Sequence, residues 1–431
     1  MGMSLTESLA YVTDDLPGVG GRIKLSHGDF LVEEQPLYDP CGEGEHLLLY
    51  IEKRGLTTTD AIRRVAKAFR VSKREVGYAG LKDKHAVTRQ HLSIHLPERD
   101  ESLDRASLER MAHLEPKVKL LWHARHTNKL KRGHHGGNRF VVYVREVDGA
   151  AVVRAKPILE RLERGGVPNY FGEQRFGYRG DGHDLGRLLL RGEYRRMLDA
   201  LLGHSRPHES DPLKRARAAY DRGDIDEALE HWPRSLRFDR QALDALRQHK
   251  SAEQAVAQID EGHRVLLTSA LQSAVFNRVL DRRIREGLFP RLIEGDLAWK
   301  HDSGAVFAVG GAELAADNAA GGRVERLEVS PSGPMWGRGM TRASGEADRR
   351  EVQALGAEGL DPAGVEADLE PPRVAPSGSR RPMRIGLKDV DLSGGVDEQG
   401  GYVRVAFELP KGAFATMVLR ELMKNASIHQ A

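Results

Sequence analysis

One short segment of the sequence combines a carboxylate, flanking cations and a glycine turn. It extends from Tyr78 to Gln90 and reads YAGLKDKHAVTRQ. Asp83 lies between Lys82 and Lys84, in a turn that Gly80 opens and that leads into an alternating strand. Neighbouring cations favour the charged form of a carboxylate, and a carboxylate held on a loop can act as a nucleophile or a base. Turn aspartates without a catalytic role have the same local pattern, so the spacing alone leaves both interpretations open.

Two further segments carry residues suited to binding. Gly136–Phe140 offers Asn138 as a hydrogen-bond donor and acceptor and Phe140 as a ring that can stack on a base. A glycine turn that opens a strand, with Phe140 in the core, is the alternative. Asn169–Gly177 concentrates aromatic residues, glycines and one arginine, which a packed domain junction would also explain.

A fourth segment, Lys411–Leu422, predicts a helix after a short turn. Apolar residues form one stripe of this helix, while Ala413, Thr416 and Arg420 share another face at helical spacing. The small residues on that face leave Arg420 room to reach a carboxylate. An ordinary surface arginine is the alternative interpretation.

The charge of the chain is small in total but unevenly distributed. The 66 Lys and Arg residues nearly balance the 63 Asp and Glu residues, which leaves a net charge of +3. Residues 117–139 nevertheless hold seven Lys or Arg, four His and no acid, and residues 63–89 hold nine Lys or Arg against Glu75 and Asp83. Basic blocks of this kind are what a phosphate backbone requires, so the distribution indicates a nucleic acid as readily as a solvated surface.

Several classes of protein and site are disfavoured. The single cysteine, Cys41, excludes a disulfide framework and a thiolate zinc site and fits a reducing compartment. No apolar run is long enough to span a bilayer, and neither a phosphate-binding loop nor a dinucleotide fingerprint occurs. His134 and His135 have no adjacent thiolate or obvious carboxylate ligand, so no metal site is expected.

Hydrophobic periodicity predicts an α+β chain with strand-rich segments at both ends and helices between them. Strands are predicted at 30–34, 46–52, 91–96, 139–147 and 402–409, and helices at 57–70, at 414–424 and through much of 180–287. Residues 341–382 are rich in proline, glycine and charge, which predicts a long loop or linker. One sheet domain interrupted by an inserted domain is the simplest arrangement for this order.

Taken together, the four segments resemble the TruD family of tRNA pseudouridine synthases. The resemblance begins with KLSHGDFLVEE at Lys24–Glu34, continues through the segments already described and closes with Phe414–Leu422. It implies a pseudouridine-synthase catalytic domain with a mixed, largely antiparallel sheet of circularly permuted strand order, interrupted by a mostly helical α+β domain. The expected boundaries are 1–169 and 379–431 for the catalytic domain and 170–378 for the inserted domain.

The resemblance also implies a reaction. The enzyme would break the N-glycosidic bond of a uridine in tRNA, uridine 13 of the D arm in bacteria, rotate the uracil and rejoin it through carbon. Asp83 matches the catalytic aspartate of the family, and Arg420 matches a basic residue that would pair with it. Attack of Asp83 on the ribose, attack on the uracil and proton abstraction all remain open. Neither a metal nor an organic cofactor is implied.

Further positions match residues that contact the substrate in the family. Phe30, Asn138 and Phe414 match such positions, and Phe140 matches the aromatic residue that stacks on the target base. Lys24 is a candidate for contact with a phosphate or a carboxylate. The implied partner is tRNA in the cytoplasm, without a membrane or an obligate protein partner, and a monomer is compatible with the sequence.

Two alternatives stay open at this point. A non-catalytic RNA-binding protein, such as an RNA chaperone, would share the basic blocks, and the same isomerisation could act on a different RNA. Compared with compact members of the family, the chain has extra length at 203–250 and 341–378, which leaves the shape of the substrate groove open.

Overall fold

The computed structural model of the chain describes residues 9–97 and 101–425. In chain order its strands are β1 (Phe30–Gln35), β2 (His46–Arg54), β3 (Val76–Tyr78), β4 (Val87–His95), β5 (Val118–His126), β6 (Gly137–Arg145), β7 (Val167–Pro168), β8 (Leu297–Lys300), β9 (Val306–Ala308), β10 (Val329–Met335), β11 (Ser379–Pro382), β12 (Arg384–Ile385), β13 (Lys388–Asp397) and β14 (Gly400–Pro410). These bounds confirm the five predicted strands to within a few residues.

The α-helices lie between and after these strands. In chain order they are α1 (Thr58–Phe69), α2 (Glu101–Ala112), α3 (Ala151–Gly165), α4 (Gly182–Leu190), α5 (Tyr194–Leu202), α6 (Asp211–Asp221), α7 (Ile225–His231), α8 (Arg237–Arg247), α9 (Ala252–Gln258), α10 (Glu261–Arg285), α11 (Gly311–Asn318), α12 (Gly345–Gly356), α13 (Pro362–Glu366) and α14 (Ala415–Met423). Within the described residues no helix combines the length and the apolarity that crossing a membrane needs.

Packing divides the described chain into two compact units. The sheet unit comprises Tyr11–Asn169 and the residues from Ile385 onward, and the helical unit comprises Tyr170–Arg384 with Leu9 and Ala10. These units are defined by packing, and the assignment of catalytic and inserted domains to 1–169, 170–378 and 379–431 stays a prediction.

The sheet unit is built on one mixed sheet, as predicted. Its strand order is β13-β14-β6-β1-β4-β2-β5, and β3 pairs with β4 beside this path. β1 and β4 run parallel, with Leu31 opposite Val87, whereas the other strand pairs are antiparallel. Because both of these strands start at the same end, the loop of residues 79–86 before β4 lies beside the segment that precedes β1.

Helix α1 covers part of one face of this sheet. Thr57 caps the helix by accepting a hydrogen bond from the backbone N–H of Asp60 at 3.1 Å, as capping residues do. The inward face of α1 packs in one core with alternate residues of β2, since successive side chains of a strand point to opposite faces. The β2 residues in this core are Leu47, Leu49 and Ile51, and the next position on the same face is a lysine, Lys53.

The helical unit has its own cores. Helices α4 to α10 enclose a cluster that includes Leu198, Trp232 and Leu243, which confirms the helical pattern predicted from about residue 180 to 287. A second sheet has the strand order β11-β10-β8-β9. Leu292, Ala298 and Val329 belong to the small core beside it.

The predicted loop or linker at 341–382 is wrong over much of its length. The segment contains α12, α13 and β11, and α12 buries Ala347, Glu351 and Leu355 on one face. The prolines that suggested a loop lie outside α12, and Pro362 occupies the first turn of α13, where proline is tolerated. The proline content of the segment therefore predicted its secondary structure poorly, because the positions of the prolines relative to the helices matter more than their number.

Candidate active site

The loop that joins β3 to β4 presents Asp83 to the solvent beside a lysine. The Asp83 side chain is 54% exposed, and its Oδ2 lies 3.7 Å from Nζ of Lys24, whose side chain is only 10% exposed. The same ammonium lies 4.8 Å from the centre of the Phe30 ring, within the range of a cation–π contact. The positive charge of Lys24 therefore faces both a carboxylate and an aromatic ring.

Lys24 has an unusual backbone conformation. Its φ is +59°, in the left-handed region that residues other than glycine rarely adopt. Such conformations are costly and persist where the surrounding structure requires them, often at functional sites. The left-handed backbone and the low exposure of the side chain together indicate that the surrounding structure holds Lys24 in place.

A second lysine holds the backbone of the same loop. Nζ of Lys53 donates hydrogen bonds to the carbonyl oxygens of Asp83 and Leu56, both at 2.7 Å. Lys53 is fully buried, and this burial lowers its pKa to about 8, against the opposing effect of the Asp83 charge. The loop is thus attached to β2 at the residue that carries the exposed carboxylate.

A third lysine, Lys82, points inward although it is adjacent to Asp83. Its Nζ lies 3.0 Å from Oε2 of the buried Glu34 and donates to Oδ1 of Asn138 at 2.5 Å. Glu34 and Asn138 lie opposite each other on β1 and β6. Since Asn138 directs its oxygen to Lys82, its two N–H donors point away from this lysine.

Glu34 is the buried acid of this cluster. The backbone N–H of His91 donates to Glu34 at 3.0 Å, and the His91 ring nitrogen Nδ1 lies 3.3 Å from the same carboxylate oxygen. Burial alone would raise the pKa of Glu34, but the hydrogen bonds from His91 and the charge of Lys82 outweigh it and hold the pKa below its usual range. Glu34 therefore supplies a fixed negative charge that orients Lys82.

The predicted aromatic residues occupy two different environments. Phe140 is 7% exposed; its ring stacks on Phe407 at 5.5 Å and meets the edge of Phe30 at 6.3 Å. Phe414, which precedes α14, is 42% exposed. The core packing of Phe140 matches the alternative that the sequence left open, and contact of Phe30, Phe140 or Phe414 with a substrate stays a prediction.

Arg420 is buried on α14. Its guanidinium lies 3.8 Å from the centre of the Tyr11 ring and 4.0 Å from the Glu421 carboxylate, which also accepts a hydrogen bond from the Thr13 hydroxyl at 2.6 Å. The predicted pairing of Arg420 with Asp83 stays a prediction. The ion pair that the structure gives to the Asp83 carboxylate is the one with Lys24.

The structure thus brings together Lys24, Phe30, Asp83 and Phe140 by direct contacts, and it joins Asn138 to them through Lys82. Sequence reasoning missed Glu34, Lys53 and Lys82 as parts of the site. A signal for two of them was available, because Glu34 continues the buried face of β1 and Lys53 continues the face of β2 that packs against α1. A charged residue at such a position needs a partner, which points to a buried cluster.

The basic block at residues 117–139 forms β5, the start of β6 and the loop between them. Lys131 and Arg132 of this loop are exposed, and Arg132 donates to the Tyr78 hydroxyl at 2.6 Å. Exposed cations here can meet phosphates. Among residues 9–97 and 101–425, no group of three or more His, Cys, Asp and Glu side chains is arranged to hold a metal ion.

Comparisons with known proteins agree along nearly the whole chain. The family model described as tRNA pseudouridine synthase D (TruD) matches residues 7–422. A tRNA pseudouridine synthase D from Geobacter metallireducens is 44% identical over 96% of this chain and 98% of its own length, and one from Geobacter sulfurreducens is 42% identical over 96% and 97%. A crystal structure from Methanosarcina mazei, assigned to tRNA pseudouridine synthase D, is 28% identical with a TM-score of 0.81 and covers 97% of each chain. The chain therefore belongs to the TruD family of tRNA pseudouridine synthases.

Proposed function

We propose that the chain isomerises uridine 13 in the D arm of tRNA and that Asp83 is the carboxylate that acts on the target nucleotide. The observation that carries this proposal is the geometry of Asp83: a half-exposed carboxylate on an anchored loop, 3.7 Å from a buried lysine. As a tRNA pseudouridine synthase the chain is an isomerase, so the reaction needs no external reactant. The N1–C1′ bond breaks, the uracil turns and a C5–C1′ bond forms, with the C5 proton lost to water or to a base and a proton taken up at N1.

The surroundings of Asp83 support a role in this chemistry. Lys24 supplies a positive charge that stabilises the carboxylate before it reacts and offsets charge that develops on the nucleotide. Lys53 and Lys82 bind the backbone of Asp83 and the side chain of Asn138. The carboxylate can therefore remain accessible while the atoms around it are held in place. Asp83 would act as a nucleophile on ribose or uracil, or as a base.

The target base must leave the folded RNA before it can reach the carboxylate. Extrusion of a base costs a few kcal/mol, and stacking on an aromatic ring returns about 1–3 kcal/mol. Phe414 is more exposed than Phe140, because Phe140 packs against Phe407. Asn138 would then donate from its amide to the edge of the uracil, and the basic loop with Lys131 would bind phosphates. We place this reaction in the cytoplasm, where tRNA is modified.

The position of the target is tested with two transcripts of the same tRNA. One carries uridine at position 13 and the other carries cytidine there, and pseudouridine is mapped at every position after incubation with the purified chain. The proposal expects product at position 13 of the first transcript and none in the second. Product at other positions of both transcripts, without conversion of uridine 13, would reject the proposed target and favour a different RNA site.

A further inference from the structure

Lys53 is a buried lysine whose ammonium contacts the backbone of the proposed catalytic residue. It occupies the inward position after Ile51 on β2, where the preceding inward residues are apolar. Burying an ammonium group is unfavourable unless hydrogen bonds compensate it. Both of its hydrogen bonds, to the carbonyl oxygens of Asp83 and Leu56 at 2.7 Å, join the loop to the turn before α1. An apolar side chain would fill this position at a lower cost in free energy, so packing alone does not explain why a lysine is found here.

A second contact fastens the same loop one residue earlier. The backbone N–H of Lys82 donates to the hydroxyl of Thr58 at 2.9 Å, and that hydroxyl donates to the side-chain oxygen of Gln90 at 3.0 Å. Two consecutive residues of the loop are therefore bound to β2 and to the first turn of α1. The side chain of Asp83 nevertheless stays 54% exposed. The backbone is restrained while the reactive group remains open to a ligand.

We propose that Lys53 is a positioning residue of the isomerase, whose ammonium fixes the backbone of Asp83 and so places its carboxylate at the target nucleotide. The proposal rests on the proposed role of Asp83. Its physical basis is the steep dependence of a reaction on the position of the reacting group, since a displacement of about 1 Å can cost about 10²-fold in rate. A lysine that acts in this way never touches the substrate.

The pKa of Lys53 should make this role detectable in the pH dependence of the rate. Its pKa of about 8 is set first by burial, which lowers it, then by the charge of Asp83, which raises it, and by that of Lys82, which lowers it. Facing Lys53 on the neighbouring strands are the uncharged Thr88 of β4 and Val118 of β5. As the pH rises through about 8, the ammonium loses a proton, and its bond to the Asp83 carbonyl loses the strength that charge gives to a hydrogen bond.

Two charged groups on the neighbouring segments form ion pairs of their own. Lys24 pairs with the Asp83 carboxylate, and Asp60, on the first turn of α1, pairs with Arg63 at 2.8 Å. Because the pKa of Lys53 is about 8, its charge decreases as the pH passes 8, and the expected change in activity is a loss towards alkaline pH.

The test replaces Lys53 with methionine, which keeps the length of the side chain and removes the charge. Lys53→Met should lower the single-turnover rate of pseudouridine formation about 10²-fold, while the Kd for tRNA stays within about twofold. The matched control is Lys156→Met, which removes an exposed lysine of α3 in the same unit, 71% exposed, and should leave both quantities unchanged. A rate for Lys53→Met within about twofold of the wild-type rate would overturn the proposal.

The pH profile supplies a second readout that a merely structural role would not move. The wild-type rate should fall as the pH rises above about 8, and the low rate of Lys53→Met should lack this fall. A wild-type rate that stays level up to about pH 9 would overturn the proposal even if the variant did not fold. Asp83→Asn separates the two proposals: if that variant is inactive and Lys53→Met is fully active, only the role of Lys53 is rejected.

Discussion

The two units of the molecule contain ion pairs that differ in how exposed their carboxylates are. In the helical unit, three buried arginines bind buried carboxylates, in the pairs Arg217–Glu209 at 3.0 Å, Arg283–Asp296 at 2.8 Å and Arg380–Glu351 at 2.7 Å. In the sheet unit, the buried Lys53 binds backbone carbonyls and the buried Lys82 binds Glu34 and Asn138. The carboxylate beside them, Asp83, is half exposed.

The contrast separates a closed ion pair, in which both side chains are buried, from an open one, in which the carboxylate is exposed to the solvent. Arg380 holds both oxygens of Glu351, at 2.7 and 2.8 Å, and both residues are buried, so the pair has no surface to offer a ligand. Lys24 and Asp83 are 3.7 Å apart, and the carboxylate is 54% exposed. The first arrangement stabilises the fold, whereas the second leaves a charged oxygen available for chemistry. Substitutions in the closed pair and in the open pair should therefore affect different measurements.

The largest effect on stability is expected when a closed pair is broken. Glu351→Gln leaves the Arg380 guanidinium buried without its carboxylate, which should lower the free energy of unfolding by about 3–5 kcal/mol. Measured below the melting temperature, the rate of pseudouridine formation per folded molecule should stay unchanged. Glu346→Gln on the same helix is the control, because Glu346 is 46% exposed and a surface pair contributes about 0–1 kcal/mol. Equal melting temperatures for the two variants would contradict this account.

Substitutions of Phe140 and Phe414, both in the sheet unit, should likewise affect different measurements. Phe140→Ala removes a ring packed on Phe407 and should cost about 3–5 kcal/mol of stability. Phe414→Ala removes a ring that is 42% exposed and should mainly weaken a substrate contact, by about 1–3 kcal/mol. Thermal unfolding and single-turnover rates, measured on both variants, check this division. A stable Phe140→Ala variant would show that the ring does not contribute to the core as its packing indicates.

A substitution in the open pair should change the rate of pseudouridine formation. Lys24→Met removes the positive charge beside the Asp83 carboxylate, and the single-turnover rate should fall by about 10²-fold. Stability should change little or improve, because the left-handed backbone at Lys24 remains while an almost buried charge is removed. Arg22→Met, at a residue whose side chain is 55% exposed, is a suitable control in the same segment. An unchanged rate for Lys24→Met would mean that the ion pair is not part of the reaction.

The sequence predicted regular elements well where apolar residues recur with the period of a strand or of a helix. They recur at every second position in the strand around Tyr402 and at every third or fourth position in the helix after Thr57, since burial of one face dictates the spacing of apolar residues. Helix α12 was missed because the prolines near it dominated the composition of the segment. Composition averages over positions, whereas a helix depends on where each proline lies.

The site was predictable only in part, because its key contacts join distant residues. The Asp83 motif is local, so the sequence could single it out. Lys53 is 30 residues away from Asp83, and only the pairing of β2 with β4 brings the two together. The sequence resemblance suggested Arg420 as the partner of Asp83, which stays a prediction, and Lys24 for contact with a phosphate or a carboxylate. In the structure, Lys24 lies beside the Asp83 carboxylate. That contact depends on a left-handed backbone, which no local pattern predicts for a lysine.

The most direct test of the central claim is the rate of pseudouridine formation by Asp83→Asn in a single turnover. The tRNA carries uridine 13 and is bound to the same extent by the variant and by the wild-type chain. Asparagine keeps the size of the side chain and removes the charged oxygen, so the rate at position 13 should fall by about 10³-fold or more, with melting temperature and Kd nearly unchanged. Conversion of uridine 13 by Asp83→Asn at the wild-type rate would contradict the account.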